Sequence, residues 1–469
     1  MGEEERQAGY RIERDSLGTY RVPAEAWYGI QTARAVDNFP ISGRGPDRDF
    51  VIAHVRIKRA AAVANREAGW LDPRLADAIV AACDRILAGE LLDQFVVDRF
   101  QAGAGTSHNM NTNEVIANLA NVALGGERGT YDPVHPNDHV NMGQSTNDTI
   151  PTAIRLAALA KLPRLLEAVE EMAAAFARIA EAERDTVKSG RTHLQDAVPT
   201  TIGREFGAYA WILRRAARNL AACREPLCEI GLGGSAAGTG LNTAPGYRER
   251  AAAELARLTG EPIRPAEDMA AQMQSMHDVQ RLSSAIRDLA LELDRIANDI
   301  RLLASGPRTG LGEITLPPVQ PGSSIMPGKV NPVMFEMLNM VCFQVMGQDA
   351  AIAAMTQAGQ LELNVMMPAL GSALFDAMDW LTAAVRAATR RNLHGLVVNR
   401  ERCRWFLHQS VGLATLLNTR IGYAAAAEIA KESERTGRPV REIVAERGLM
   451  SAEEFDALVL RAARDGVIG

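Results

Sequence analysis

The longest uninterrupted pattern in the chain runs from Glu267 to Ser305, a stretch with neither glycine nor proline. Its apolar residues are Met269, Met273, Met276, Val279, Leu282, Ile286, Leu289, Leu293, Ile296, Ile300 and Leu303, always three or four positions apart. That is the period of a helix with one apolar face. At about 1.5 Å per residue it predicts a rod of roughly 60 Å, far beyond the usual helix of about 11–12 residues. A helix of this length needs others like it to bury its seam. The same period recurs over Thr152–Arg184, where Pro163 permits a local kink, and over Ile202–Cys228, Val330–Thr356 and Ser372–Asn392.

Residues 146–395 therefore read as a central domain of long bundled helices. Residues 1–145 read as a mixed, mainly helical domain, with helices expected at Phe50–Ala68 and Pro73–Ala88 and an extended or irregular segment at Arg11–Pro23. Residues 396–469 carry short polar helical patterns, such as Arg402–Leu416 and Ala452–Ala463, and read as a small C-terminal helical domain. The fold class is mainly all-α. A bundle this long leaves apolar surface that self-association would cover.

Composition narrows the function classes. The chain has 469 residues, with 51 Lys+Arg against 57 Asp+Glu and a formal charge of −6. The apolar content of 47% excludes wholesale disorder. The acidic balance argues against a nucleic-acid partner, and 5% aromatics argues against a large all-β protein. No run of about 20 apolar residues suits a membrane. The start, Met1–Arg6, is polar and acidic, unlike a secretory signal. Five cysteines (Cys83, Cys223, Cys228, Cys342, Cys403) form no C-x-x-C pair, so no zinc site or disulfide framework is expected. Reduced thiols and a cytoplasmic location are expected.

Four stretches of small polar residues interrupt the helical pattern: Gly103–Asn109, Gln144–Asp148, Gly190–Asp196 and Gly322–Pro332. Each precedes a helical pattern, and Ser, Thr or Asn there are ordinary N-caps. Helix N-termini also carry free N–H groups that hold carboxylates or phosphates. The fourth stretch is not a phosphate loop, because five residues separate Gly322 from Gly328 and Val330 follows Lys329. Gly231–Ala236 loosely matches a dinucleotide fingerprint, but no strand pattern precedes it.

Taken together, Gly322-Ser-Ser-Ile-Met-Pro-Gly-Lys-Val-Asn-Pro332 resembles the signature loop of the fumarase/aspartase superfamily. Gly105–Val115, His135–Asp138, Gln144–Asp148, Gly190–Asp196 and Ala304–Arg308 extend the resemblance over nearly the whole chain, in the right order. The resemblance implies a homotetramer with a shared central bundle and active sites each built from three subunits. It implies elimination of ammonia or water from a four-carbon dicarboxylate to give fumarate, without a cofactor; no metal-ligating residues are expected.

Trp27–Thr32, Gly105-Thr106-Ser107, Gln144–Asp148, Pro332-Val333-Met334 and Gly359–Met366 resemble the aspartase branch more than the class II fumarases. Two features depart. Aspartases commonly carry Glu where Met367 stands, and Leu416–Thr419 resembles fumarases. The resemblance implies aspartase activity, with fumarase as the alternative and a non-catalytic relative as the lesser one.

Carried over residue by residue, the resemblance makes Ser323 the base that takes the C3 proton. Lys329 and the loop's N–H groups would favour its alkoxide. Thr106, Ser145, Thr146 and Ser324 would bind the carboxylate beside the abstracted proton. Thr192, His193, Lys329 and Asn331 would bind the other carboxylate. Asn147, with Thr106 and His193, would face the amino group, and Glu336 would pair with His193. His135, Asn137 and Asp138 resemble a second, peripheral dicarboxylate site. His108, His277, His394 and His408 are expected to be structural.

Overall fold

The computed structural model describes residues 9–466; the acidic start Met1–Arg6 lies outside the described residues. The chain divides into two compact units, each assembled from separate stretches of sequence rather than in chain order. One comprises the residues up to Leu165 with Asn219–Arg287 and Gln344–Asp379. The other comprises Leu166–Arg218, Asp288–Phe343 and the residues from Trp380 onward.

The first unit opens on an antiparallel hairpin, Tyr10–Asp15 with Gly18–Pro23, the extended segment expected at 11–23. Helices Ile30–Asn38, Arg48–Glu67, Pro73–Leu87 and Thr106–Ala123 follow. Asp47 starts the second of these by accepting from the N–H groups of Asp49 and Phe50. Asp72 starts the third in the same way, with Pro73 at the first helical position. Their apolar faces meet in a core that includes Val55, Ile79, Ile86, Phe95, Ile116 and Leu119.

Thr106–Ala123 is buried on every side from Ser107 to Asn121, although it carries five asparagines. Each turns its amide to a neighbouring segment. Asn111 donates to the Gln94 carbonyl and accepts from Val96 N–H. Asn118 serves Trp27 and Gly129 likewise, and Asn121 bonds Val134 through both its atoms. The Glu114 carboxylate collects the N–H groups of Gly29, Gln31 and Thr32 and the Thr32 hydroxyl. Side chains thus supply partners that buried loops cannot find in a sheet.

The long helices stand where the periodicity placed them: Thr146–Ala182, Ile202–Ala221, His277–Leu303, Val333–Gln357 and Met367–Arg391. The single rod expected over 267–305 is instead two helices, Met269–Gln274 and His277–Leu303. Ser275 is extended between them (φ −101°, ψ 130°). Arg155 explains the break. Its fully buried guanidinium pairs with Asp278 at 2.6 Å and draws the Ser275 carbonyl out of helical bonding at 3.1 Å. No pattern within 267–305 could reveal that partner. The longer piece, 27 residues, spans about 40 Å. Among the described residues, no helix is long and apolar enough to cross a membrane.

The second unit contains the antiparallel hairpin Val187–Thr192 with Gln195–Thr201, bulged between Ser189 and Arg191. Lys188 and Arg191 on its first strand both grip the buried Glu313 carboxylate, at 2.7 and 2.8 Å. Short helices from Arg400 onward enclose a core of Leu407, Leu413, Ile429, Ile443, Phe455 and Leu458. Ser451 and Glu454 form a reciprocal capping box at the start of Ala452–Asp465.

Candidate functional site

In the first unit, two helix N-termini present the polar residues singled out by the sequence. Gly105 precedes Thr106–Ala123 with a left-handed backbone (φ 92°), and Ile150 sits 3.0 Å from where its Cβ would be, so only glycine fits there. No side chain of the preceding residue caps this helix, and Thr106 is exposed at its first position. The expectation that Thr106 belongs to an ordinary capped terminus is therefore corrected. Gln101 Oε1 accepts from His108 N–H at 2.8 Å, so one donor of this terminus is satisfied from outside the motif.

Ser145 does cap the helix Thr146–Ala182. Its hydroxyl accepts from Asn147 N–H at 3.1 Å, and Asp148 returns the bond to Ser145 N–H at 3.0 Å. Asn109, one turn beyond Thr106, donates its amide to Thr146 Oγ1 at 3.1 Å and so links the two helix starts. Asn147 donates its amide N–H to the Ala236 carbonyl at 2.9 Å, which leaves its Oδ1 as an acceptor.

Asp148 is fully buried, and burial pushes its carboxyl up to about 7, against the N–H groups of Ser145, Gly233 and Ser235 that favour the anion. The Gly231–Ala236 loop is thereby explained. A two-residue strand, Glu229–Ile230, does precede it, contrary to expectation, but the N–H groups of Gly233 and Ser235 are spent on Asp148.

In the second unit, the Gly322–Pro332 loop is closed at its base. Gly322 N–H donates to the Lys329 carbonyl at 3.0 Å, and the Asn331 amide donates to the Gly322 carbonyl at 2.7 Å. A Cβ on Gly322 would lie 2.1 Å from the Lys329 carbonyl oxygen. Ser323 Oγ accepts from Ile325 N–H at 3.2 Å and Met326 N–H at 3.0 Å. Two backbone donors on one hydroxyl oxygen ease loss of its proton. Ser324 and Lys329 are exposed, and among the described residues Lys329 has no ion-pair partner. Glu336 lies in the first turn of Val333–Gln357.

The stretch Gly190–Asp196 does not cap a helix, as expected from the sequence; it forms the tip of the second unit's hairpin. Thr192 pairs with Gln195, so His193 and Leu194 make a two-residue turn with left-handed φ values of 55° and 59°. Such turns normally use Asn or Gly. A histidine and a leucine held there are strained, and such strain collects at functional sites. Among the described residues, no hydrogen bond or ion pair joins His193 to Glu336 or to the 322–332 loop.

His135 opens a tight turn, Pro136–Val140, and its Nδ1 accepts from the N–H groups of Asn137 (3.3 Å) and Asp138 (3.2 Å). Those donors are engaged within the turn. Met367 is buried beside Phe50, His108, Ile150 and Phe375, around a cavity of about 20 Å³, room for about one water.

Residues 18–347 match the lyase family model, and residues 413–461 match the fumarase C C-terminal model. The chain belongs to the fumarase/aspartase superfamily. It is 45% identical over 449 residues to an aspartate ammonia-lyase of Escherichia coli, covering 95% of this chain and 94% of that one. It is 47% identical to an aspartate ammonia-lyase of Pseudomonas aeruginosa, covering 97% and 96%. Among solved structures it is similar to a fumarate lyase:delta crystallin from Brucella melitensis bound to cobalt (TM-score 0.94, 44% identity, covering 97% and 99%). It is also similar to a class II fumarase from Schistosoma mansoni (TM-score 0.93, 35% identity, covering 98% and 100%). The mainly helical fold expected from the periodicity is the fold of this superfamily, and the chain is a lyase.

Sequence reasoning missed the residues that stand behind these superfamily motifs. Lys58, Asn109, Asn141 and Asp148 are buried or half-buried and polar. One signal was legible: Lys58 interrupts the apolar stripe Val51, Val55, Ala62 on its helix, where a charge needs partners.

Proposed function

We propose that this lyase is an aspartate ammonia-lyase, converting L-aspartate to fumarate and ammonia by reversible anti-elimination. The carrying observation is the Ser323 hydroxyl, held by two backbone N–H groups in a closed loop that also carries Lys329, which has no ion pair among the described residues. Its alkoxide takes the C3 proton, and the electron pair of that C–H bond moves onto the adjacent carboxylate as an enediolate-like intermediate. The pair then returns to form the C2–C3 double bond. The C2–N bond breaks with its electrons leaving on nitrogen, so the ammonium departs as ammonia.

Fixed donors answer the developing charge. Thr106, Ser145, Thr146 and Ser324 receive the carboxylate beside C3, and Thr192, His193, Lys329 and Asn331 receive the other. Asn147, with its amide N–H given to Ala236, offers Oδ1 to the substrate ammonium. The aspartase relatives, at 45–47% identity, support ammonia as the leaving group.

In this reading the enzyme is a cytoplasmic homotetramer whose sites are completed by different copies, with Glu336 pairing with His193 in the assembly. Large apolar side chains left exposed on the long helices, such as Met340 (64%) and Phe343 (56%), support that association. The enzyme in this proposal has three domains, divided at 145 and 395, and binds a dicarboxylate peripherally at His135, Asn137 and Asp138.

The test is fumarate formation from L-aspartate against L-malate. Fumarate from aspartate alone is expected. Fumarate from malate alone would favour fumarase, the second reading, which the likeness to the Schistosoma mansoni enzyme supports. Ser323→Ala is expected to abolish turnover while the assembly persists, and near-normal turnover in that variant would sink the base assignment.

A further inference from the structure

Lys58 is fully buried in Arg48–Glu67, and among the described residues it makes no ion pair. Burial draws its pKa down to about 7, and its protonated amine donates to three amide oxygens: Asn109 Oδ1 at 2.7 Å, Asn141 Oδ1 at 2.9 Å and Gln144 Oε1 at 3.0 Å. Three N–H donors meet three acceptors, and an ammonium cannot accept. Each amide is therefore fixed with its oxygen toward Lys58 and its NH2 turned away. The Gln144 NH2 goes to the Val140 and Met142 carbonyls, and the Asn141 NH2 to the Gln144 carbonyl. The Asn109 NH2 goes to Asn141 Oδ1 at 3.3 Å and to Thr146 Oγ1 at 3.1 Å.

The last bond has a consequence at the substrate side. A hydroxyl has one proton to give. Because Asn109 already donates to Thr146 Oγ1, the Thr146 proton is left to point elsewhere. Thr146 is half-buried at the start of its helix, beside Ser145 and Asn147. We infer that Lys58 is a positioning residue: through Asn109 it commits the Thr146 hydroxyl to donate to the substrate carboxylate. In such a chain each hydrogen bond polarises the next, so protonated Lys58 also strengthens the final donor. The inference rests on the assignment of Thr146 to the carboxylate that gains charge.

Asn109→Asp is the sharpest test. It is isosteric, still accepts from Lys58, and cannot donate to Thr146, whose proton would turn inward to the new carboxylate. Lys58→Gln provides a second variant that keeps some donors. Both are measured alone and combined with Thr146→Val, by kcat/KM and by calorimetric binding of succinate, a dicarboxylate with no leaving group. Folding is followed by thermal unfolding.

The expected result is a loss of about tenfold or more for Asn109→Asp in kcat/KM and in succinate affinity. The expected further loss is less than threefold when Thr146→Val is already present. A purely structural role would give effects that multiply, and multiplying effects in either folded variant would overturn the inference. Unchanged succinate binding in folded Asn109→Asp would overturn it as well. The binding arm separates the two readings: a wild-type enzyme inactive on L-aspartate fails the proposed function, while a non-additive cycle on succinate still upholds the role of Lys58.

Discussion

His108 stacks on Phe50 (centroids 4.6 Å apart) and on His54 (5.1 Å), with neither of its ring nitrogens hydrogen-bonded. Burial holds it neutral and pulls its pKa down to about 3, with the Lys58 charge adding to the effect. An unfolded histidine titrates near 6.5. Between those values the unfolded chain binds a proton that the folded chain refuses. Stability is therefore intact above about pH 6.5 and falls as pH drops toward 3, by up to about 1.4 kcal/mol per pH unit for this residue. His108→Phe fills the same stack without nitrogens. Its thermal midpoint should fall less between pH 7 and 5 than that of the wild type, and equal falls would refute the account. His54, also buried and held well below its ordinary range, retains part of the slope in the variant.

At the scale of elements, two of the segments assigned to the proposed reaction, the Gly322–Pro332 loop and the tip of the 187–201 hairpin, have unusual backbone. A methyl on Gly322 would collide with the Lys329 carbonyl, so Gly322→Ala should reopen the loop base. Because the loop is largely exposed, the expected outcome is loss of activity with the thermal midpoint moved by less than about 2 °C, checked by paired kinetics and calorimetry. At the hairpin tip the strain can be released. Leu194→Gly suits φ 59°, and its side chain is 72% exposed. The variant should be as stable as the wild type or more so, yet bind substrate less tightly because His193 is less firmly held. A lower KM would contradict that.

These elements also mark what could be read in the sequence. The long helices were legible because an apolar residue every three or four positions reports one buried face. The Ser275 break was not, because Arg155, which causes it, lies 120 positions away. The hairpin at 187–201 was hidden because its strands bury few apolar side chains and leave no alternating pattern. The motifs named Thr106, Ser145–Asn147 and Ser323, but not the buried Lys58 cage behind Thr146.

For the whole molecule, a site completed across copies has a kinetic signature. Ser323→Ala and Thr106→Ala chains, each inactive alone, should regain part of the activity when co-expressed, since some sites then draw an intact Ser323 and an intact Thr106 from different chains. Absence of recovery in mixed assemblies verified by mass would refute shared sites. The asparagine-rich helix Thr106–Ala123 sets a different limit. Because Asn111, Asn118, Asn121 and Glu114 bond the segments near 94–96, 27–32 and 129–134, no one of these segments can detach without stranding buried amides. Their amide protons should exchange with deuterium together, at the rate of the helix itself, rather than loop by loop. The chain's room for inserted residues is fixed by the same helix. Surface connections elsewhere can lengthen, while these three must keep their length, since one added residue would carry a donor past the side chain that receives it.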